Sequence, residues 1–191
     1  MRKIDTIYMR DRLDRSILTS NPNRTCDWVF RGEGQPYVKY DGHPVRYKDG
    51  VWWRRGEWRP EIEGKLPPTH WEPCEPAPIG VNRHWPFWVP LAPTGDNSDD
   101  YAYWAGIEYF LSHTEPVPGT YEMVGLGINR NPYRLGFIDL WPHTGEPISG
   151  LSPNQAHLIE WFSAYDEEGI VWHHPDGRMA KIKRKDLGFK W

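Results

Sequence analysis

Apolar and polar residues alternate in short runs from Trp28 onward, at 37–40, 43–47 and 51–54. A period of two is the signature of a half-buried strand. The runs are separated by Asp41-Gly42 and Asp49-Gly50, so the pattern predicts a β-meander with two tight turns. Residues 120–125 form a further strand candidate, and 169–172 and 179–182 flank a His-His-Pro-Asp-Gly turn, which predicts a β-hairpin near the C-terminus. In that hairpin Lys181 and Lys183 share one face, Ile182 takes the other, and Glu168 stands at the start of the first strand.

Helical spacing is found in two places. Residues 99–112, DDYAYWAGIEYFLS, follow an acidic cap region. Residues 152–165 have Ser152 as a cap, Pro153 at the first helical position, and Leu158, Ile159 and Phe162 along one side. Residues 1–25 are polar and charged and end in SNPNRT, which reads as an N-terminal helix or arm followed by a loop. The proline-rich stretch 59–98 has few regular patterns and is expected to be irregular or a functional loop region. Strands framing a few helices predict an α+β fold, with an arm over 1–25 and one domain over 26–191.

Composition narrows the function classes. At 191 residues and 38% hydrophobic, with a mean hydropathy of −0.75, the chain can bury a sizeable core and has no apolar run of membrane-span length. The N-terminal MRKIDTIYMRDRLDR has no apolar segment of the secretory kind, so a cytoplasmic protein without a membrane partner is expected. Two cysteines, Cys26 and Cys74, are too few for a disulfide framework or a cysteine-type zinc site. A net charge of −3 argues against coating nucleic acid by bulk electrostatics, while leaving room for a local basic groove. Trp52, Trp53, Trp58, Trp71, Trp85, Trp88 and Trp104 crowd one half of the chain, as base-stacking rings or as packing anchors of a Pro-rich β protein.

The His173-His174 pair would point to opposite faces of a strand and makes a poor joint metal site. Asp96, Asp99 and Asp100 form an acidic loop that lacks the glycine and glutamate spacing of a calcium-binding EF-hand loop. By itself the C-terminal hairpin, with a glutamate and several basic residues, is equally an ordinary solvated face.

Its weight changes in combination. Lys39-Tyr40-Asp41-Gly42, YEMVGLGINRNP at 121–132, EGIVW at 168–172 and KIK at 181–183 occur in that order. The set resembles the covalent nucleotidyltransferase superfamily of ATP-dependent RNA and DNA ligases and RNA capping enzymes, and within it a compact RNA ligase family. The resemblance runs from Lys39 to the C-terminus, and EGIVWHHPDGRMAKIKRKD is its most specific part. It implies a nucleotidyltransferase (adenylation) domain in which antiparallel sheets frame a nucleotide pocket. It further implies that Lys39 attacks the α-phosphate of ATP and becomes adenylylated, and that Arg55 contacts ribose or a 5′-phosphate, with Arg54 an equally close match. Glu122 would bind the ribose, Phe137 stack on adenine, Glu168 serve the metal, and Lys181 and Lys183 hold the α-phosphate.

The implied cofactors are ATP and Mg²⁺ or Mn²⁺; the implied partner is RNA with 5′-phosphate and 3′-hydroxyl ends, as in RNA repair. Chemistry agrees with these roles, because a nucleophilic lysine must shed its proton, which burial and positive neighbours favour. Lys181, Lys183 and a divalent cation would supply that field and offset charge growing on the α-phosphate. Nothing follows Trp191, so the oligonucleotide-binding domain appended in many DNA ligases and capping enzymes is expected to be absent. Two rival readings stay open: transfer to another acceptor such as DNA or a capped end, and a non-catalytic RNA-binding module of the same fold.

Overall fold

The computed structural model describes residues 4–15, 17–58, 69–77, 84–93 and 100–191. In chain order the strands and α-helices are β1 (Asp5–Thr6), β2 (Tyr8–Arg10), β3 (Leu18–Pro22), α1 (Asp27–Phe30), β4 (Gln35–Lys39), β5 (His43–Lys48), β6 (Val51–Trp58) and β7 (Glu72–Pro73), followed by β8 (Trp85–Pro90), α2 (Tyr101–Leu111), β9 (Gly119–Gly125), β10 (Ile138–Pro142), α3 (Gln155–Ala164), β11 (Gly169–His173) and β12 (Met179–Lys183). This is the expected α+β class with antiparallel sheets. The chain divides into two compact units, one of Asp41–Pro142 and one of Ile4–Tyr40 with His143–Trp191.

The unit Asp41–Pro142 holds a six-stranded antiparallel sheet in the order β10-β9-β5-β6-β8-β7. Asp49 and Gly50, at φ 53° and 78°, close the β5–β6 hairpin with the left-handed pair that a two-residue turn requires. Asp41-Gly42 does not make the second hairpin: β4 pairs with β11 and β5 with β9, so the chain passes there from one unit to the other. An Asp-Gly pair marks a place to turn, but the strand's partner is chosen by burial elsewhere in the chain.

On one face of this sheet Val45, Trp52, Tyr121, Met123 and Leu140 pack against Ile107 and Phe110 of α2. Alternation and register put Glu122, Arg46, Trp53, Arg55, Trp88 and Trp141 on the other. The tryptophans act as packing anchors: Trp53 and Trp88 flank the Arg46 guanidinium at 4.6 and 5.1 Å, and Trp71, Trp85 and Trp58 form edge-to-face pairs. Two strands, β7 and β8, lie within the stretch expected to be irregular; of the acidic loop, Asp96 and Asp99 lie outside the described residues.

In the other unit a four-stranded sheet runs β1-β12-β11-β4, antiparallel except for β1 alongside β12. Ile170, Trp172, Ala180 and Ile182 turn one face of it onto a core with Leu158 and Phe162 of α3, Trp28 and Val29 of α1, and Ile7. Three strands, β1, β2 and β3, thus lie in the segment where a helix or arm was expected. Its β-branched Ile7 and Thr6 suit a pleated surface, and the deciding partner, β12, lies far along the chain where local pattern cannot reveal it. Asn154, not Ser152, caps α3 by accepting from Ala156 N at 2.9 Å, and Ile159 faces outward while Leu158 and Phe162 are buried.

The C-terminal end of α3 leaves carbonyls without helical partners, and one side chain takes them. Arg184 donates to the carbonyls of Phe162 at 2.5 Å, Tyr165 at 2.8 Å and Lys190 at 2.9 Å, lies 4.9 Å from the Phe189 ring, and pairs with Asp166. Arg184→Ala is expected to lower stability by on the order of 2–3 kcal/mol in urea unfolding, and Arg184→Lys to recover little, because only the guanidinium fork reaches several carbonyls at once.

Candidate functional site

Strands β4, β11 and β12 put three rows of residues on the face away from the core. Lys39 stands opposite Gly169 and Gly169 opposite Lys183; the next row is Tyr37, Val171 and Lys181, and the third Gln35, His173 and Met179. Gly169 has no side chain to fill the space between the two lysines, and a Cβ there would collide with the Ile182 carbonyl. The carboxylate of Glu168 fills it: Lys39 Nζ donates to Oε2 and Lys183 Nζ to Oε1. Glu168 is buried, and both lysines are largely shielded. Lys181 is the third cation on this face; burial first, then the charges of Lys183 and Lys39, push its pKa down to about 8.

The turn after β12 holds this cluster in place. Arg184 N donates to the Glu168 carbonyl at 2.8 Å. Asp186 accepts from Lys183 N at 3.0 Å and from Arg10 at 2.5 Å, and its side chain is buried. No sequence signal marks this aspartate, since the backbone amide it caps is invisible in a pattern of side chains.

Three ammonium groups around one carboxylate leave a net positive, partly desolvated face suited to phosphate. Among the described residues no group of three or more His, Cys, Asp or Glu is gathered to hold a metal ion. His173 and His174 diverge as expected: His173 lies edge-on to Tyr37 and burial lowers its pKa to about 4, while His174 packs on Trp28.

The unit Asp41–Pro142 contains the second cluster. Glu122, buried on β9, accepts from Gly42 N at 3.0 Å. Gly42 is required for close approach, because a Cβ would collide with the Met123 carbonyl and the Glu122 side chain. Tyr133 Oη accepts from Asp41 N at 2.8 Å, with its ring 4.8 Å from Trp141, which stands directly across from Glu122. Asn129 donates to Asp41 Oδ1 at 2.8 Å and to the Gly42 carbonyl at 3.2 Å. No sequence signal singled out Tyr133, Trp141 or Asn129.

The two arginine candidates separate. Arg54 points to the α2 face and pairs with the buried Asp100 at 2.7 Å, whose other oxygen accepts from Ala92 N. Arg55 shares the face of Glu122 and lies 3.4 Å from Glu57. Phe137, expected on adenine, is stacked against Tyr109 of α2 at 4.3 Å. Directly beside Glu122 on its face is Trp141, with Tyr133 packed against it.

Comparison with known proteins is consistent along most of the chain. The sequence profile of the family RNA ligase 1 matches residues 111–191. RNA ligase 1 of Rattus norvegicus is 30% identical over 227 residues, covering 92% of this chain and 68% of that protein. RNA ligase 1 of Mus musculus is 30% identical over 224 residues, with the same coverage, and that of Danio rerio 29% over 220 residues, covering 91% and 67%.

Two expectations follow from the geometry. Arg54→Ala strands the buried Asp100 carboxylate and is expected to cost about 3 kcal/mol or more of unfolding free energy in chemical denaturation. Glu167 is half-buried with one oxygen out of contact with any partner, and burial followed by the charge of Asp166 raises its pKa to about 7. The folded state therefore holds a proton that the unfolded chain releases near its ordinary 4.5, so this group makes stability fall as pH rises from about 4.5 to about 7. Glu167→Gln is expected to raise Tm by roughly 2–4 °C at pH 8, on the order of 1 kcal/mol after solvent screening, and to change it little at pH 4.

Proposed function

The chain belongs to the RNA ligase 1 family, and from that membership we propose that it is an ATP-dependent RNA ligase working through a lysyl-AMP intermediate on Lys39. The observation that carries this reading is the Lys39–Glu168–Lys183 cluster, with Lys181 on the same sheet face.

In the first step Lys39 Nζ attacks the α-phosphorus of ATP, a P–N bond forms and pyrophosphate leaves. Lys39 Nζ donates to Glu168 Oε2, so the proton that the nitrogen must give up lies on that hydrogen bond. Lys183 and Lys181 meet the phosphate oxygens, and their charge grows in value as negative charge builds in the transition state. AMP then passes to an RNA 5′-phosphate, with the P–N bond exchanged for a phosphoanhydride. A 3′-hydroxyl attacks that phosphate, AMP leaves, and the strand is sealed. Glu122 and Arg55, on one face of their own sheet, are assigned to the ribose and to a phosphate respectively.

Mg²⁺ keeps most of its waters and takes one or two carboxylates together with substrate phosphates, so Glu168 fits it as the single protein ligand when the nucleotide is present. When bound, the ion would draw charge from the α-phosphate. The lysines would be released from Glu168 to the phosphates by the same exchange, since both draw on one carboxylate.

Incubation with α-labelled ATP and Mg²⁺ is expected to give a covalent protein adduct, absent in Lys39→Ala. Glu168→Ala should lower adduct yield by about 100-fold or more, since it removes the group shared by both lysines, while Glu167→Ala should stay within a few-fold of wild type. Comparable yields from the two glutamate variants would undo the assignment. An adduct without sealing of nicked or hairpin RNA would select another acceptor, and RNA binding without any adduct a non-catalytic module.

A further inference from the structure

Between β9 and β10 the chain makes a loop, 126–137, in which Asn129, Arg130, Asn131 and Arg134 all take left-handed backbone, at φ 41°, 63°, 53° and 53°. Asparagine adopts this region with some ease, but arginine rarely does, and each instance costs free energy that the surrounding structure must offset. The offset is visible. Asn131 bonds both ways with Leu135, its side chain donating to the carbonyl at 2.8 Å and accepting from the amide at 3.0 Å. Ile128 is buried, its amide bonding the Gly125 carbonyl, while Asn129 and Tyr133 tie the loop to Asp41 and Gly42.

The backbone is thus over-determined while the two arginines it holds are exposed, and neither guanidinium has a hydrogen bond or ion pair among the described residues. Glycine would occupy both positions without strain, as Gly127 does in the same loop at φ 79°. Two strained, unpartnered arginines four residues apart on a rigid loop bring cost to the fold and no contact in return. What they offer is a pair of planar donor forks fixed in space, the chemistry of phosphate recognition. RNA and the triphosphate of ATP both supply that group; an exposed pair without neighbouring carboxylate partners suits successive phosphates of a strand better than a buried nucleotide.

We propose that loop 126–137 is an RNA-docking element in which Arg130 and Arg134 hold phosphates of the substrate strand. The proposal rests on the ligase reading above for the identity of its ligand. It is tested with the double variant Arg130→Gly/Arg134→Gly and a 5′-phosphorylated single-stranded RNA, followed by fluorescence anisotropy over a salt series. Affinity is expected to fall roughly tenfold, and the slope of log K against log salt to flatten by about 1.4, as for two lost phosphate contacts on a single strand. The thermal midpoint should be no lower than that of wild type, since glycine relieves the backbone. Unchanged affinity and slope, no measurable RNA binding by wild type, or earlier unfolding of the variant would each overturn the proposal. Loss of ATP adduct with RNA binding intact would also overturn it, assigning the arginines to the nucleotide. Wild-type protein that forms no adduct yet shows the arginine-dependent salt slope would remove the ligase reading and leave the docking loop standing.

Discussion

One carboxylate, that of Glu168, satisfies two lysines that β-pairing brings to the same face of a sheet. An isolated buried carboxylate or a pair of half-buried ammonium groups would be costly, and each is tolerable here because of the other. The arrangement depends on a glycine between the lysines, on the turn that pins the Glu168 carbonyl and on the Asp186 carboxylate that caps Lys183. A ligand that takes over the role of counter-ion to the lysines can enter without leaving a charge stranded, which is the physical basis for reading the face as a phosphate site.

The second unit has a different economy. The face that carries Glu122 is organised around backbone groups: Gly42 approaches Glu122 closely enough that no side chain fits, and Asp41 is held by Tyr133 and Asn129. The tetrapeptide that contains Lys39 is therefore anchored at its far end by residues some ninety positions later in the chain. That anchoring loop is also the one that holds two arginines in left-handed backbone, so the same short segment fixes the turn after Lys39 and presents cationic side chains outward.

Several charged residues that look interchangeable in the chain are given different partners by their surroundings. Arg54 and Arg55 are neighbours, yet strand alternation sends one to a buried aspartate and the other to the face of Glu122. Glu167 and Glu168 are likewise adjacent; one bridges lysines and the other sits half-buried with a raised pKa. Arg184, a plausible RNA contact from charge alone, is spent on the carbonyls at the end of α3 and on the chain's last residues.

The sequence by itself determined the pieces with a local physical cause. The hairpin at 169–183, the shared face of Lys181 and Lys183, the turn at Asp49-Gly50 and the helices around 101–111 and 155–164 all follow from periodicity and turn chemistry. The motifs around Lys39, Glu122 and Glu168 were legible as a set because their order and residue types are unusual together. Only the tertiary structure decided what depends on distant partners. It made β1 a strand by pairing it with β12 and β2 a strand by pairing it with β3, and turned Asp41-Gly42 from a hairpin into a crossing point because β4 found β11. It gave Asp186, Tyr133 and Asn129 their hydrogen-bond partners. Backbone hydrogen bonds between strands carry no sequence label, so which strand pairs with which, and therefore which side chains share a face, is settled only when the whole core is buried at once.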